Sequence, residues 1–204
     1  MEISWRHDLD KALEDARALR KPVLLDFSAA PTSGGCARLE AEVWPDERVA
    51  RLVMECFVPT RLHVKRHEAE FERFEARYSV PWTPTTLFID PEGLERHRIE
   101  GFLPVEDFLA QLTLGLGHLD FHGGRFGDAE RHFRDVVSRF PSTESAPEGQ
   151  YWAGVSKYKG TGDAAALAET ARAFEERYER TSWAKKASVW RSSNVAADGH
   201  DDPR

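Results

Sequence analysis

The chain has few of the residues that mark secreted or membrane-spanning proteins. Only 2 of its 204 residues are cysteine, too few for a disulfide framework. No apolar run approaches the roughly 20 residues that a helix needs to cross a bilayer. The N-terminal residues 1–8 contain no basic segment followed by an apolar core, so they predict no secretory signal. These absences predict a cytoplasmic protein without a membrane partner.

An excess of positive charge is also lacking. The chain has 28 Lys and Arg against 35 Asp and Glu, which gives a formal net charge of −7. This balance argues against nucleic acid as a partner. The composition, 41% hydrophobic and 31% charged, is ordinary for a globular protein of one or two domains.

The most informative stretch is Pro22–Cys36. Val23–Phe27 has the length and branching of a buried strand, and the following loop ends in Ser33-Gly34-Gly35-Cys36. Ser33 is a good N-cap, which places Cys36 in the first turn of a helix. Free N–H groups and the helix dipole favour a thiolate there, so the pattern indicates a redox site. A small buried cysteine that merely packs is the alternative.

These residues carry a resemblance to the thioredoxin family. Its pattern is a strand, Asp-Phe, a short loop, Cys-x-x-Cys and a helix, which Lys21–Phe27 and Ser33–Cys36 resemble. Val80–Thr85 is similar to the family's cis-proline loop, with Pro84 as that proline. The resemblance covers about residues 5–115. It implies an α/β thioredoxin-like fold, with a central mixed sheet flanked by helices.

The chain departs from that family at Ser33, which stands where the family has its attacking cysteine. A serine hydroxyl is not appreciably ionised near neutral pH and forms no mixed disulfide, so the two-cysteine exchange cycle is excluded unless another thiol takes part. The resemblance also implies that Asp26 is a buried proton acceptor for the thiol, with a pKa raised by burial. The alternative for Asp26 is a carboxylate that caps a backbone group.

Other candidate residues carry less weight. Cys56 lies at the start of a second predicted strand, Phe57–Val64, and the expected ~20 Å from Cys36 makes it a core residue rather than a disulfide partner. His118 and His122 have metal-ligand spacing on a predicted helix but no third ligand, so we predict neither a metal nor a cofactor. His63 is interpreted as part of a solvated basic edge.

From Pro104 the pattern changes to helices joined by glycine turns. Pro104 suits a first helical position, and Gly123-Gly124 ends that helix. Small residues and Pro141 then recur at the spacing of a tetratricopeptide repeat. We therefore predict a thioredoxin-like domain over 1–103 and a tetratricopeptide-like region over 104–191, with a polar, disordered tail over 192–204.

Two functions follow from these patterns. The first is single-thiol redox chemistry on a protein or small-thiol partner, with Cys36, Ser33 and Asp26 as site residues. The second is a redox-inactive module that binds a protein partner. In both, Trp82, Thr83 and Pro84 would contact the partner, with Trp82 partly exposed as a stacking surface, and the helical repeats would add a second binding surface.

Overall fold

Helices and strands alternate through the first half of the chain, and helices alone form the second half. The computed structural model describes residues 1–191. The first-half elements are α1 Leu9–Leu19, β1 Val23–Ser28, α2 Gly34–Arg38, α3 Glu47–Cys56, β2 Val58–His63, α4 Glu68–Tyr78, β3 Thr85–Ile89 and β4 Glu95–Glu100. The second-half helices are α5 Val105–His122, α6 Phe126–Arg139, α7 Ser145–Thr161, α8 Ala165–Glu176 and α9 Ser182–Ala187.

The four strands form one mixed sheet in the order β2-β1-β3-β4. Strand β1 is parallel to β2 and antiparallel to β3, so it lies inside the sheet, and all six of its residues are buried. A turn at Asp90–Gly93 joins β3 and β4, and the Gly93 N–H donates to the Asp90 carbonyl at 2.9 Å. The central mixed sheet flanked by helices confirms the predicted fold class.

Alternating side chains of β1 supply two cores. Leu25 and Phe27 pack in one cluster with residues of α1 and α4. Leu24 points to the other face and joins a cluster that contains residues of α3 and α5. Because the strand is covered on both faces, its sequence is a continuous apolar run interrupted only by Asp26.

Helix α5 joins the sheet to the helical half. An added Cβ at Gly115 would overlap the ring of Phe88 on β3, and one at Gly117 would lie 2.6 Å from the Phe133 ring on α6. Glycine at these positions lets α5 approach both neighbours closely. One buried cluster therefore extends from Leu24 in the sheet to Phe133 in the helical region.

The structure corrects several details. Cys56 is the last residue of α3 rather than the start of a strand, and it is only partly buried. Pro104 precedes the first turn of α5 and does not form part of it. A π-helical turn, Leu39–Val43, continues α2 before Pro45. The boundary at residue 104 stays a prediction, and the predicted disordered tail over 192–204 lies outside the described residues.

Candidate functional site

Cys36 lies where the carboxyl end of β1 leads through a loop into α2. It is 1% exposed, and the Ala29 N–H donates to its sulfur, with 3.3 Å between N and Sγ. Ser33 is the N-cap of α2, as predicted, because its Oγ accepts from the Cys36 N–H at 3.4 Å. The thiol therefore lies in the first turn of α2 and beneath the loop that joins β1 to α2.

The Ser33 hydroxyl also connects this loop to the loop before β3. Its Oγ donates to the Thr83 carbonyl at 3.2 Å. The peptide bond between Thr83 and Pro84 is cis. An added Cβ at Gly35 would lie 2.9 Å from Pro84 Cδ, so the first turn of α2 packs directly on this proline. Ser33, Thr83 and Pro84 are thus brought together beside Cys36.

Trp82 is the exposed aromatic residue next to this junction. Its exposed fraction is 63%, in agreement with the expected partial exposure. The Thr85 hydroxyl donates to the Trp82 carbonyl at 2.9 Å, which fixes the backbone of the loop while the indole remains accessible. The loop therefore presents a large apolar surface next to Ser33.

Asp26 has a charged partner that neither interpretation of its role included. Its Oδ2 accepts from Arg61 Nε at 2.7 Å, and Arg61 Nη1 donates to Glu40 Oε1 at 2.6 Å. The guanidinium also stacks on Trp5, with 4.0 Å from Cζ to the ring centroid. Asp26 therefore does not cap a backbone group: it belongs to an Asp26–Arg61–Glu40 ion triad.

Burial sets the ionisation of Asp26. The residue is 1% exposed, and its Oδ1 has no hydrogen-bond partner within residues 1–191. Burial raises the pKa of Asp26 above its usual range, because desolvation outweighs the attraction of Arg61, and Glu40 raises it further. A buried carboxyl with a raised pKa is able to take up a proton.

His63 is hydrogen-bonded to the loop that covers Cys36. Its Nδ1 accepts from the Lys65 N–H at 3.1 Å, so in the neutral ring Nε2 carries the proton and donates to the Ala30 carbonyl at 2.6 Å. His63 is buried, which corrects its interpretation as part of a solvated edge. The ring ties the end of β2 to the loop between β1 and α2.

Sequence reasoning missed Arg61, Glu40 and His63 as parts of the site. One feature of the sequence could have identified Arg61. It is the charged residue of a strand that is otherwise apolar or neutral, and a buried charge needs a partner of opposite charge. The register puts Arg61 directly opposite Asp26. Nothing in the local pattern identified His63, because its contact depends on the path of a loop 33 residues away.

Within the described residues, the structure reveals other histidine contacts but no metal centre. His118 is buried on α5, and its Nε2 lies 3.2 Å from Glu148 Oε1 on α7. Within residues 1–191, no group of three or more His, Cys, Asp or Glu side chains has the geometry to hold a metal ion.

None of the helices within residues 1–191 is both long enough and apolar enough to cross a bilayer.

Three features together define a thioredoxin-like protein. They are a four-stranded mixed sheet, a cysteine in the first turn of a capped helix, and a cis-proline loop beside that turn. Residues 9–115 match the family described as a thioredoxin-like domain, and these 107 residues are just over half of the 204. The chain belongs to this family. The match extends beyond Pro104 into α5.

The chain is also similar to two curated relatives, both named thiol:disulfide interchange protein DsbD. The Ralstonia nicotianae protein is 32% identical over 111 residues, 54% of this chain and 18% of that protein. The Pseudomonas fluorescens protein is 33% identical over 108 residues, 52% of this chain and 18% of that protein. The chain therefore matches less than a fifth of the length of either relative.

Two solved structures are each similar to about half of the chain. A thioredoxin from Thermus thermophilus is 30% identical with a TM-score of 0.47, over 55% of this chain and 85% of that one. The oxidised C-terminal domain of Neisseria meningitidis DsbD is 22% identical with a TM-score of 0.45, over 52% of this chain and 94% of that one.

Proposed function

We propose that the protein catalyses thiol–disulfide exchange through one thiol, that of Cys36. The observation that carries this proposal is the position of the thiol, in the first turn of α2 with the Ala29 N–H directed at its sulfur. In such an exchange the sulfur of the thiol is the nucleophile. The names of the DsbD relatives point to the same chemistry.

The exchange takes two steps and needs only partner sulfurs. In the first, the Cys36 thiolate attacks a partner disulfide R–S–S–R′, which forms a Cys36–S–S–R bond and releases R′–S⁻. In the second, an external thiolate R″–S⁻ attacks the R sulfur, which forms R–S–S–R″ and returns Cys36 as a thiolate. Electrons balance because one disulfide is consumed and one is formed.

Several residues would assist these steps. Trp82 and the Thr83–Pro84 backbone would hold an extended partner beside the thiol. Asp26 would take up the proton of the Cys36 thiol, with its raised pKa making it a competent acceptor. Ser33 would cap α2 and stay chemically inert. We retain the cytoplasm as the proposed location, since its reducing conditions keep a lone cysteine as a thiol.

Covalent trapping tests this proposal. A Cys56→Ala variant is incubated with a peptide carrying an activated mixed disulfide, and the adduct on Cys36 is measured by intact mass spectrometry. A thiol is then added, and the peptide should leave as a new disulfide with recovery of the free protein. The Cys36→Ala variant is the control. Absence of any adduct on native Cys36 would contradict the proposal.

A second candidate function is a redox-inactive binding module. The burial of Cys36 favours it, because a thiol 1% exposed reacts only when the Ala29–Ser33 loop opens. In this case Trp82 and Pro84 would bind a protein partner. Helices α5–α8, interpreted as tetratricopeptide-like pairs with close glycine contacts, would add a second surface. Partner binding that survives Cys36→Ala but not Trp82→Ala would support this candidate.

A further inference from the structure

A cleft of about 370 Å³ opens beside the covered thiol, at the carboxyl ends of the parallel strands β1 and β2. One wall comes from residues next to the site in sequence, Ala30, Pro31 and Ala37. The other comes from β2 and the turn that follows it. The remaining lining residues are His7, Glu40, Arg61, His63, Arg66 and His67.

The lining is rich in groups that attract or donate to an anion. Glu40 is the one acidic residue among the lining residues, and its carboxylate is already bound to Arg61. Arg66 is exposed, and no acidic partner within 4.0 Å is found for it within residues 1–191. A chain with a net charge of −7 therefore has a locally basic cleft next to its reactive sulfur.

Hydrogen bonds determine which donors remain available. His67 Nδ1 accepts from the His63 N–H at 3.0 Å, so in the neutral ring the proton is on Nε2. His7 donates from Nδ1 to the Arg61 carbonyl at 3.0 Å, and its ring stacks on His67 with 4.4 Å between centroids. Arg61 Nη2 also lacks an acceptor in the described chain, but it is buried and so is not among the available donors.

Two imidazoles and the guanidinium of Arg66 line the cleft together with His67. Burial lowers the pKa of His67 below its ordinary value, and His7, His63 and Arg66 lower it further. A negative group in the cleft would offset the repulsion among these groups.

We propose that this cleft binds a carboxylate of the partner whose disulfide reacts at Cys36. This inference rests on the proposed function, because that function identifies the partner as a disulfide substrate. Acidic residues beside the partner cysteine would contact Arg66 and His67 while its sulfur lies over the Ala29–Ser33 loop. The site therefore selects acidic peptides among disulfide substrates.

Matched peptides test the selection. Pentapeptides Gly-Glu-Cys-Glu-Gly, Gly-Gln-Cys-Gln-Gly and Gly-Lys-Cys-Lys-Gly, each as a thiopyridyl mixed disulfide, are reacted with Cys56→Ala protein at low salt. Adduct formation is followed by mass spectrometry. An exposed ion pair at the cleft predicts an acidic-to-neutral rate ratio of about fivefold. The lysine peptide should be slowest, and added salt should reduce the ratio.

Variants assign the effect to the cleft. Arg66→Gln should bring the acidic-to-neutral ratio close to one. Arg51→Gln, which removes an exposed arginine of α3 that does not line the cleft, should retain the ratio. Equal rates for all three peptides in the parent protein would overturn the carboxylate site and leave exchange at Cys36 intact.

A direct binding measurement separates the two proposals. If no peptide reacts, exchange at Cys36 is contradicted, and the cleft is then tested with the unreactive peptide Gly-Glu-Ser-Glu-Gly. Titration of that peptide should shift the imidazole NMR signals of His7 and His67 in the parent protein, but not in Arg66→Gln. Unchanged signals in the parent protein would contradict the carboxylate site on their own.

Discussion

The Ser33 hydroxyl has two structural partners and no redox chemistry of its own. It accepts from the Cys36 N–H and donates to the Thr83 carbonyl, so it orders the thiol loop against the proline loop. In the proposed correspondence with the thioredoxin pattern, Ser33 stands at the position of the attacking cysteine and orders the backbone around Cys36.

Restoring a second sulfur should restore a dithiol. In a Cys56→Ala background, we expect Ser33→Cys to form a disulfide with Cys36 on mild oxidation, since the side chain at position 33 already lies over the first turn of α2. Loss of the oxygen cap should cost about 1 kcal/mol of stability. Thiol titration before and after oxidation measures the result, with Ser33→Ala as the control. Two thiols persisting after oxidation would refute this expectation.

The ionisation of Asp26 predicts the pH dependence of stability. Its folded pKa lies above the ordinary value of 3.8, so the folded state binds more protons than the unfolded state from about pH 4 up to that raised pKa. The free energy of unfolding of the parent protein should therefore fall, relative to Asp26→Asn, as pH rises through this window. Urea denaturation from pH 4 to 8 measures it. A difference that grows in the opposite direction would show that Arg61 dominates over burial.

Sequence alone proposed the candidate residues but not their charged partners. Ser33 as a cap and Cys36 in the first turn follow from local rules, because an N-cap acts within three residues. Asp26 and Arg61 are 35 positions apart in the sequence, and their pairing depends on the register of β1 and β2. The contact of His63 with Ala30 depends on a loop path. Both require the folded structure.

At the scale of elements, the junction between α2 and the proline loop is close-packed. Gly35 faces Pro84, whereas an added Cβ at the adjacent Gly34 would meet no atom within 4 Å. These two glycines of one helical turn therefore differ in their surroundings but share a backbone conformation.

This difference gives a matched pair of variants. Gly35→Ala should destabilise the protein by about 1–3 kcal/mol, because the new methyl group displaces Pro84. Gly34→Ala should be neutral or stabilise by up to about 1 kcal/mol through helix propensity. Chemical denaturation measures both. Equal effects of the two substitutions would contradict the close packing of α2 on Pro84.

The elements themselves were largely predictable. Strand β1 follows from a short apolar run that ends in turn residues, and α1 and α4 follow from apolar residues at helical spacing. The π-helical turn Leu39–Val43 was not predicted, because its hydrogen bonding differs from that of α2 without a change in the apolar pattern. The role of Cys56 depended on one residue at the end of α3, where boundaries are least certain from sequence.

At the scale of the whole molecule, α5 belongs to both halves. Phe108 and Leu112 join the cluster that also contains Leu24 and Phe88 of the sheet. A division at residue 103, as the change in sequence pattern indicated, would remove this cover. The apolar pattern predicts where the all-helical part of the chain begins. It does not predict that the first helix of that part, α5, packs against the sheet.

Fragments test this shared role. We expect a fragment of residues 1–103 to lack cooperative unfolding, because Phe88 and its neighbours lose their cover. A fragment of residues 1–122 retains α5 and should unfold cooperatively, with a reduced midpoint because the Phe133 contact is lost. Thermal denaturation followed by circular dichroism compares them. Cooperative folding of the shorter fragment would instead support a domain boundary at 103.

The central claim is that Cys36 is a reactive thiol beneath a loop that opens. The most direct measurement is the rate of alkylation of native Cys56→Ala protein by iodoacetamide, with and without denaturant. We predict measurable labelling of native Cys36, slower than in the unfolded chain because the sulfur is buried. Labelling only after denaturant is added would contradict the claim and leave the protein as a binding module.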